Sequence, residues 1–437
     1  MVSARAAALH ALVALDKGRS DRLRDGLDAL AIERRELPLA YELAHGVVRR
    51  QRLLDHVVHG LAHRGIPKDP VLLTALRLGV YQMLFVAGMP AHAAVHETVA
   101  LVRSNKGFVN AVLRRLAQFV DLRPADPLRA REELALGPTR TLQLPQPLPD
   151  DEHERLAIVH SLPTWLCERF GKEHGADGLR RIAAAASAVP PVFLRLSPGV
   201  DAALLRDALA AVRVTTVVSP DARFLRWTDG ESPFATAAFA AGRFVVQDPT
   251  AFAAAAAVPC RPGDTVVDLC AAPGTKTTWL APQVRPGGTV FAFDSDAVRR
   301  RRIDQNIERL SLQDAARVVD GVADLPPADA VLADVPCSNS GVLGRRVEVR
   351  RRITPETFAR MAVVQRDLLR QALGLAKPGG HVVYSTCSID REENENVLAA
   401  VLARADGPPA EVLRSELSLP LAGEHDGGFF AVIRRLS

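Results

Sequence analysis

From Arg261 onward the chain alternates short apolar runs with helical periodicity, and no other feature constrains its fold as strongly. Residues 265–269 read as a buried strand, followed by a glycine-containing turn and a helix. The next strand is 289–293, then a helix over 298–310, and strands at 316–319 and 330–333. Residues 355–375 read as a long helix and 381–385 as a further strand. Apolar strands separated by helices belong in a mostly parallel, doubly wound sheet covered on both faces. The expected fold class is therefore α/β, with a Rossmann-like sheet. Such sheets bind ligands at the carboxyl ends of their strands, so motifs placed there carry the functional information.

Ahead of that domain, residues 3–120 read as helices only. Leu39, Leu43, Val47 and Val48 recur at helical spacing, as do Leu53, Leu54, Val57, Val58 and Leu61. Short breakers such as Gly65-Ile66-Pro67 separate the periodic stretches, which is the pattern of an all-α bundle. Periodicity then fails while Pro124, Pro127, Pro138, Pro145, Pro147 and Pro149 accumulate, which reads as a linker or an extended wrap. A small α+β module follows, with strand signals at 192–196 and 224–227. The expected organisation is a helical domain at 1–125, a proline-rich linker at 126–151, an α+β module at 152–245 and the α/β domain at 246–437.

Residues 1–15 include Arg5 and no acid, which leaves a transit peptide open. The preferred reading is a first amphipathic helix with Leu9, Leu12, Val13 and Leu15 on one face. No apolar run approaches the roughly 20 residues of a membrane span. Cys167, Cys260, Cys270, Cys337 and Cys387 form no CxxC pair. Neither a disulfide framework nor a metal site is expected, and the reducing cytoplasm is the default. The formal charge of +5 permits a polyanionic partner without requiring one.

Two strand ends suggest a nucleoside cofactor. Asp268-Leu-Cys-Ala-Ala-Pro-Gly274-Thr-Lys-Thr277 lies where the first strand turns into its helix. Small residues at Ala271, Ala272 and Gly274 admit a ligand close to the backbone, and free N–H groups at the helix start suit a carboxylate. Asp294 ends the next strand, about 20 residues on, where an acid accepts both ribose hydroxyls. Asp294 also reads as a helix N-cap, a role that Ser295 or Asp296 would fill equally well. The absence of GxGxxG counts against NAD.

Two further strand ends carry thiols. Asp334-Val-Pro-Cys337-Ser follows the fourth strand and Ser385-Thr-Cys387-Ser the fifth. A lone cysteine is usually a small buried hydrophobe. Two at adjacent strand ends, beside an aspartate and a cofactor loop, point to nucleophilic chemistry.

With these motifs and Glu392-Glu393-Asn394 in order, the chain closely resembles the RNA cytosine-5 methyltransferases of the RsmB/Sun (Nop/Sun-domain) family. Phe244-Val-Val-Gln247-Asp248 and Asp426-Gly-Gly-Phe-Phe430 also match. The N-terminal region resembles the NusB-like domain of the bacterial branch, through Gly79-Val-Tyr-Gln-Met-Leu84, the stretch from Pro90 to Thr98, and Gly107-Phe-Val-Asn-Ala-Val-Leu-Arg-Arg115.

The resemblance implies transfer of a methyl group from S-adenosyl-L-methionine to C5 of a cytosine in RNA, with 16S rRNA the expected substrate. Another rRNA position, or tRNA, is the nearest alternative. A non-catalytic, antitermination-like RNA-binding protein is the alternative of a different class. It implies Cys387 as nucleophile, Cys337 as the residue aiding release, and Asp334 and Lys276 at the cytosine. Cys270, Ala271, Ala272, Pro273, Gly274, Thr275, Lys276, Asp294 and Asp334 would surround the cofactor.

Departures exist. Thr275 replaces the usual second glycine, Ser197 stands for the usual asparagine, and Val319-Asp320-Gly321 reverses the usual order of glycine and acid. Asp320 is the candidate for the adenine side. Residue patterns leave open which base removes the C5 proton, Cys337 being a candidate.

Arg345, Arg346, Arg350, Arg351 and Arg352 follow the Pro-Cys motif and are expected to border the pocket and contact RNA phosphates, against the alternative of a solvated helix face. Arg49, Arg50, Arg52, Arg114 and Arg115 of the helical domain suit RNA docking or contact with the catalytic domain. Neither DNA nor a membrane is an expected partner, and a monomer is the expected state.

Overall fold

The computed structural model describes residues 2–62, 65–404 and 407–436. The chain folds into two compact units, one of Met1–Ser187 with Arg346–Arg352 and the other of Ala188–Arg345 with Ile353–Ser437. Among the described residues, no helix is long and apolar enough to cross a membrane.

In the first unit α1 (Ala4–Asp16), α2 (Leu23–Asp28), α3 (Leu37–Leu61), α4 (Pro70–Phe85), α5 (Ala91–Leu101) and α6 (Lys106–Leu116) share one core. Local chemistry sets their ends. Ser3 accepts from the Ala6 amide to cap α1, and Asp69 accepts from Val71 at the start of α4, where Pro70 occupies the first turn. Helix α1 buries Ala4, Ala7, Ala8 and Ala11 beside Leu12, while Leu9, Val13 and Leu15 are half-buried. Alanines, rather than the expected leucine stripe, make its tightest contact.

The proline-rich stretch is more than a linker. Strands β1 (Val120–Asp121), β2 (Glu133–Gly137) and β3 (Arg140–Gln143) form an antiparallel sheet of order β1-β3-β2. Leu142, Leu144 and Leu148 are buried in the helical core. Helices α7 (Glu152–Val159) and α8 (Thr164–Ser187), the latter broken at Gly175, complete this unit. The region read as one α+β module is thus divided, its first two helices here and its strands, with two further helices, in the second unit.

The second unit begins with β4 (Val192–Leu196), α9 (Ala202–Ala210), β5 (Val214–Val218), β6 (Phe224–Gly230), α10 (Ala237–Ala240) and β7 (Phe244–Val246). These strands form an antiparallel sheet of order β5-β6-β4-β7. Then come α11 (Pro249–Ala256), β8 (Thr265–Asp268), α12 (Thr277–Gln283), β9 (Thr289–Ala292), α13 (Ala297–Arg309), β10 (Ala316–Val318) and β11 (Ala328–Asp334). After α14 (Val349–Arg352), part of the first unit, follow α15 (Pro355–Leu375), β12 (Ala376–Thr386), α16 (Glu395–Leu402), β13 (Ala410–Ser418) and β14 (Gly428–Arg435).

The large sheet has the order β10-β9-β8-β11-β12-β14-β13, parallel from β10 to β12 and antiparallel beyond. Its strands are apolar on both faces because both are covered. Val267, Val331 and Val382 pack with α15 and α16, and their neighbours Val266, Leu332 and Val383 with α11, α12 and α13. The expected mostly parallel sheet is therefore present. The β13–β14 hairpin, which lies beyond the βα pattern, extends it.

Candidate active site

Three adjacent strands, β8, β11 and β12, end at Asp268, Asp334 and Thr386, so one edge of the sheet receives three motifs. Parallel register sets Asp334 opposite Ser385. The turns that follow bring the two half-buried thiols together, with Cys337 Sγ 2.7 Å from Cys387 Sγ. Cys337 is held well above the ordinary thiol range, first by its hydrogen bond with Cys387 and then by burial. Cys387 Sγ also donates to Asn339 Oδ1 at 3.5 Å.

Beside them Lys276 Nζ donates to Asp334 Oδ2 at 2.5 Å, and Ser385 Oγ donates to Asp334 Oδ1 at 2.9 Å. Burial alone would depress the Lys276 ammonium. The Asp334 carboxylate outweighs that, with smaller contributions from Asp268 and Cys387, and holds it above the usual lysine range. A fixed cation thus stands in the field of Cys387 and Asp334.

The turns are held by residues to which sequence reading gave no task. Glu393 is fully buried and accepts from the Ser338 amide (2.8 Å), Ser338 Oγ (2.5 Å) and Gln365 Nε2 (2.9 Å), fixing the residue after Cys337. Asn394 Nδ2 donates to Ser388 O and its Oδ1 accepts from Thr386 Oγ1, fixing the turn around Cys387. The Gly341 amide donates to Cys387 O, and the Gly427 amide to Gly341 O. A Cβ on Gly341 would meet Gly427 O at 2.6 Å and Cys387 O at 2.7 Å, so only glycine permits this approach. The motifs Glu392-Glu393-Asn394 and Asp426-Gly427-Gly428 therefore buttress the thiols. Flanked by Arg391, Glu392, Asn394 and Glu395, Glu393 looks in sequence like a solvated acid, because its partners come from distant turns.

On the cofactor side, the Ala272 amide donates to Asp294 Oδ2 and the Asp296 amide to Asp294 Oδ1. Asp296 itself caps α13, accepting from Val298 and Arg299. Asp294 is therefore not the cap; it is buried and turned toward the loop. Gly274 has φ +96°, a left-handed conformation that suits glycine, whereas Thr275 is not among the left-handed residues and bears its side chain without that strain. Cys270, Ala272 and Thr275 are half-buried, Ala271 is buried and Pro273 is exposed. Burial pushes the Cys270 thiol up. Asp320 is almost fully exposed, 3.6 Å from Arg300 Nε.

Asp268, at the end of β8, is a site residue to which the sequence motif alone gives no role. Its Oδ2 accepts from Thr277 Oγ1, while its buried Oδ1 has no partner among the described residues. Burial pushes its carboxyl up to about 7. An orphaned buried acceptor beside a glycine turn fits a ligand bearing a cation, and S-adenosylmethionine has both an ammonium and a sulfonium.

The arginines differ from expectation. Arg350 is buried in the first unit, donating to Arg49 O, His160 O and Ala186 O, and burial lowers it to about 9. Arg351 pairs with Asp16. Arg345 donates to Asp426 at 2.6 Å and lies 3.4 Å from Asp248. These three serve internal contacts, and Arg346, Arg351 and Arg352 are exposed. In the helical unit Arg49 is buried and Arg52 is bound to Ser161, Leu162 and Thr164, so neither is a surface for RNA.

Comparison with known proteins agrees with this architecture. Residues 255–417 match the family model for 16S rRNA methyltransferase RsmB/F, and residues 2–118 that for the NusB family. The chain is 32% identical to the probable ribosomal RNA small subunit methyltransferase B of Synechocystis sp., over 90% of this chain and 88% of that one. It is 31% identical to the ribosomal RNA small subunit methyltransferase B of Thermus thermophilus, over 99% and 98%. The solved structure of PH0851 shares the fold with TM-score 0.74 and 22% identity, covering 99% of both chains. A methyltransferase homologue from Pyrococcus horikoshii superposes with TM-score 0.57 and 26% identity, over 66% of this chain and all of that one.

Proposed function

Because this chain belongs to the RsmB/F family of ribosomal RNA small subunit methyltransferases, we propose that it methylates C5 of a cytosine in 16S rRNA through a covalent bond from Cys387 to C6. Family membership carries methylation of RNA from S-adenosylmethionine. The pair of thiols 2.7 Å apart beside the Lys276–Asp334 pair supports the C5 chemistry.

Carbon 5 of cytosine is a poor nucleophile. Addition of the Cys387 thiolate to C6 breaks the C5–C6 double bond and leaves an enamine whose C5 carries the electron pair. The cofactor supplies an electrophilic methyl group on sulfonium. Asp334 and Lys276 take the polar edge of the base, where charge builds as the thiolate adds. After transfer, loss of the C5 proton to a base restores the double bond and expels the Cys387 thiolate. Cys337, a proton-bearing thiol in contact with the departing sulfur, aids that release. Asp294 would accept the ribose hydroxyls, the unpartnered Asp268 Oδ1 would meet the cofactor's cation, and the turn from Cys270 to Lys276 would hold the remainder.

The test is methyl transfer from labelled S-adenosylmethionine to small-subunit rRNA transcripts, with bisulfite sequencing of the product. One protected cytosine is expected. Methylation of tRNA in preference would reassign the substrate, and label without 5-methylcytosine would overturn the chemistry.

A further inference from the structure

Gln247 closes β7 and is 5% exposed, yet neither its Nε2 nor its Oε1 has a hydrogen-bond partner among the described residues. A buried carboxamide left unpaired costs free energy, and its replacement by a hydrocarbon of similar shape would remove that cost. Its placement shows what it faces. In the antiparallel pair β4–β7, Arg195 lies opposite Val245, and the Gln247 amide donates to Phe193 O. Opposite residues share a face, so Phe193, Arg195, Val245 and Gln247 point one way, while Leu194, Leu196, Phe244 and Val246 form the small sheet's own core on the other.

On that face Phe193 packs edge-on against Phe224, and Arg195 lies over Phe252 of α11 and Trp279 of α12. Arg195 Nη2 donates to Thr275 O, in the cofactor turn. One residue beyond Gln247, Asp248 Oδ2 accepts from the Asp426 amide, and Thr250 Oγ1 donates to Asp426 O. Asp426 leads into Gly427, which bonds Gly341 and through it Cys387 O. The strands and the helix start on either side of Gln247 are thus bonded to the turn before Lys276 and to the turn at Cys387.

We propose that Gln247 is a substrate contact, its carboxamide bonding the polar edge of the cytosine presented to Cys387; this rests on the reading of the site given above. A planar group with one donor and one acceptor side by side matches the adjacent N3 acceptor and 4-amino donor of cytosine. The orphaned atoms are satisfied only when RNA is bound.

The experiment measures three quantities on the full chain carrying Gln247→Leu: thermal midpoint, S-adenosylmethionine affinity by calorimetry, and kcat/KM on 16S rRNA transcripts. The expected result is a raised midpoint, unchanged cofactor affinity and a fall of about ten-fold in kcat/KM, the size of one or two net hydrogen bonds. Gln247→Met, unbranched and of similar reach, repeats the measurement if leucine packs poorly. A lowered midpoint in both variants would mean that the carboxamide has protein partners. Cofactor affinity falling in step would make it a cofactor ligand, and unchanged kcat/KM would leave it a buried residue without a task. Each of these overturns the proposal. Covalent capture of 5-fluorocytidine-substituted RNA by the unaltered protein tests the underlying reading separately, whatever Gln247 does.

Discussion

Glu393 offers a quantitative test of how the Cys337 turn is held. Its Oε1 accepts from both the Ser338 amide and Gln365 Nε2, and its Oε2 from Ser338 Oγ. Glu393→Ala strands the Ser338 amide, removes a bond from Gln365 Nε2 and from Ser338 Oγ, which keep Pro336 O and Ser388 Oγ as partners, and opens a small cavity. At roughly 1–2 kcal/mol for the orphaned donor and less for each of the others, with the cavity added and additivity incomplete, the loss should be about 2–4 kcal/mol. Glu393→Gln behaves differently. Its carbonyl keeps both Oε1 bonds, and its amide replaces Oε2 by donating to a rotated Ser338 hydroxyl. Burial already pushes the Glu393 carboxyl up, so removing the charge also removes a desolvation cost. The expected change is within about 1 kcal/mol. Urea unfolding followed by fluorescence measures both variants. The reasoning is refuted if alanine costs less than about 1 kcal/mol, or if glutamine costs as much as alanine, because charge rather than acceptor geometry would then hold the turn.

Two other consequences follow from buried charge. Asp268, raised to about 7 from 3.8, contributes stability that is fully present below about pH 4 and lost as pH rises toward 7. Asp268→Asn should flatten that part of the cofactor-free stability profile, a slope worth at most about 4 kcal/mol, and pH-dependent calorimetric unfolding checks it. Arg350→Ala should destabilise the first unit by roughly 2–4 kcal/mol by removing the donor from four carbonyl oxygens, yet leave the salt dependence of RNA binding unchanged, because a buried guanidinium displaces no counterions. Filter binding across a salt series reads the second part.

Legibility in the sequence followed the range of the interactions. The parallel strands were readable because each is an apolar run bounded by helical periodicity, and Asp334, Cys337 and Cys387 because each stands at a strand's end. Sheet order then set β11 beside β12, so the thiols met without any local signal beyond their positions. Long-range partners were not readable. The arginines after Gly344 look the same in sequence whether they meet phosphate or backbone carbonyls, and Arg350 meets carbonyls from three separate helical segments. Prolines 124–149 suggested a linker, but a proline-rich stretch still forms strands wherever leucines such as Leu142 have a core to enter. Asp294 could not be separated from a cap until Asp296 was seen filling that role.

In the proposed reaction Cys387 makes the covalent bond and Cys337 helps end it. Both claims are read together by denaturing gel electrophoresis of protein–RNA species, using 16S rRNA transcripts and S-adenosylmethionine with Cys387→Ala, Cys337→Ala and the double variant. Cys387→Ala should lose both turnover and adduct, since no other group makes C5 nucleophilic. Cys337→Ala should still attack and methylate but release slowly, so a slow-migrating adduct accumulates, and the double variant should lose it again. The contradicting result is the reverse: adduct retained by Cys387→Ala on 5-fluorocytidine-substituted RNA and abolished by Cys337→Ala, which would make Cys337 the nucleophile.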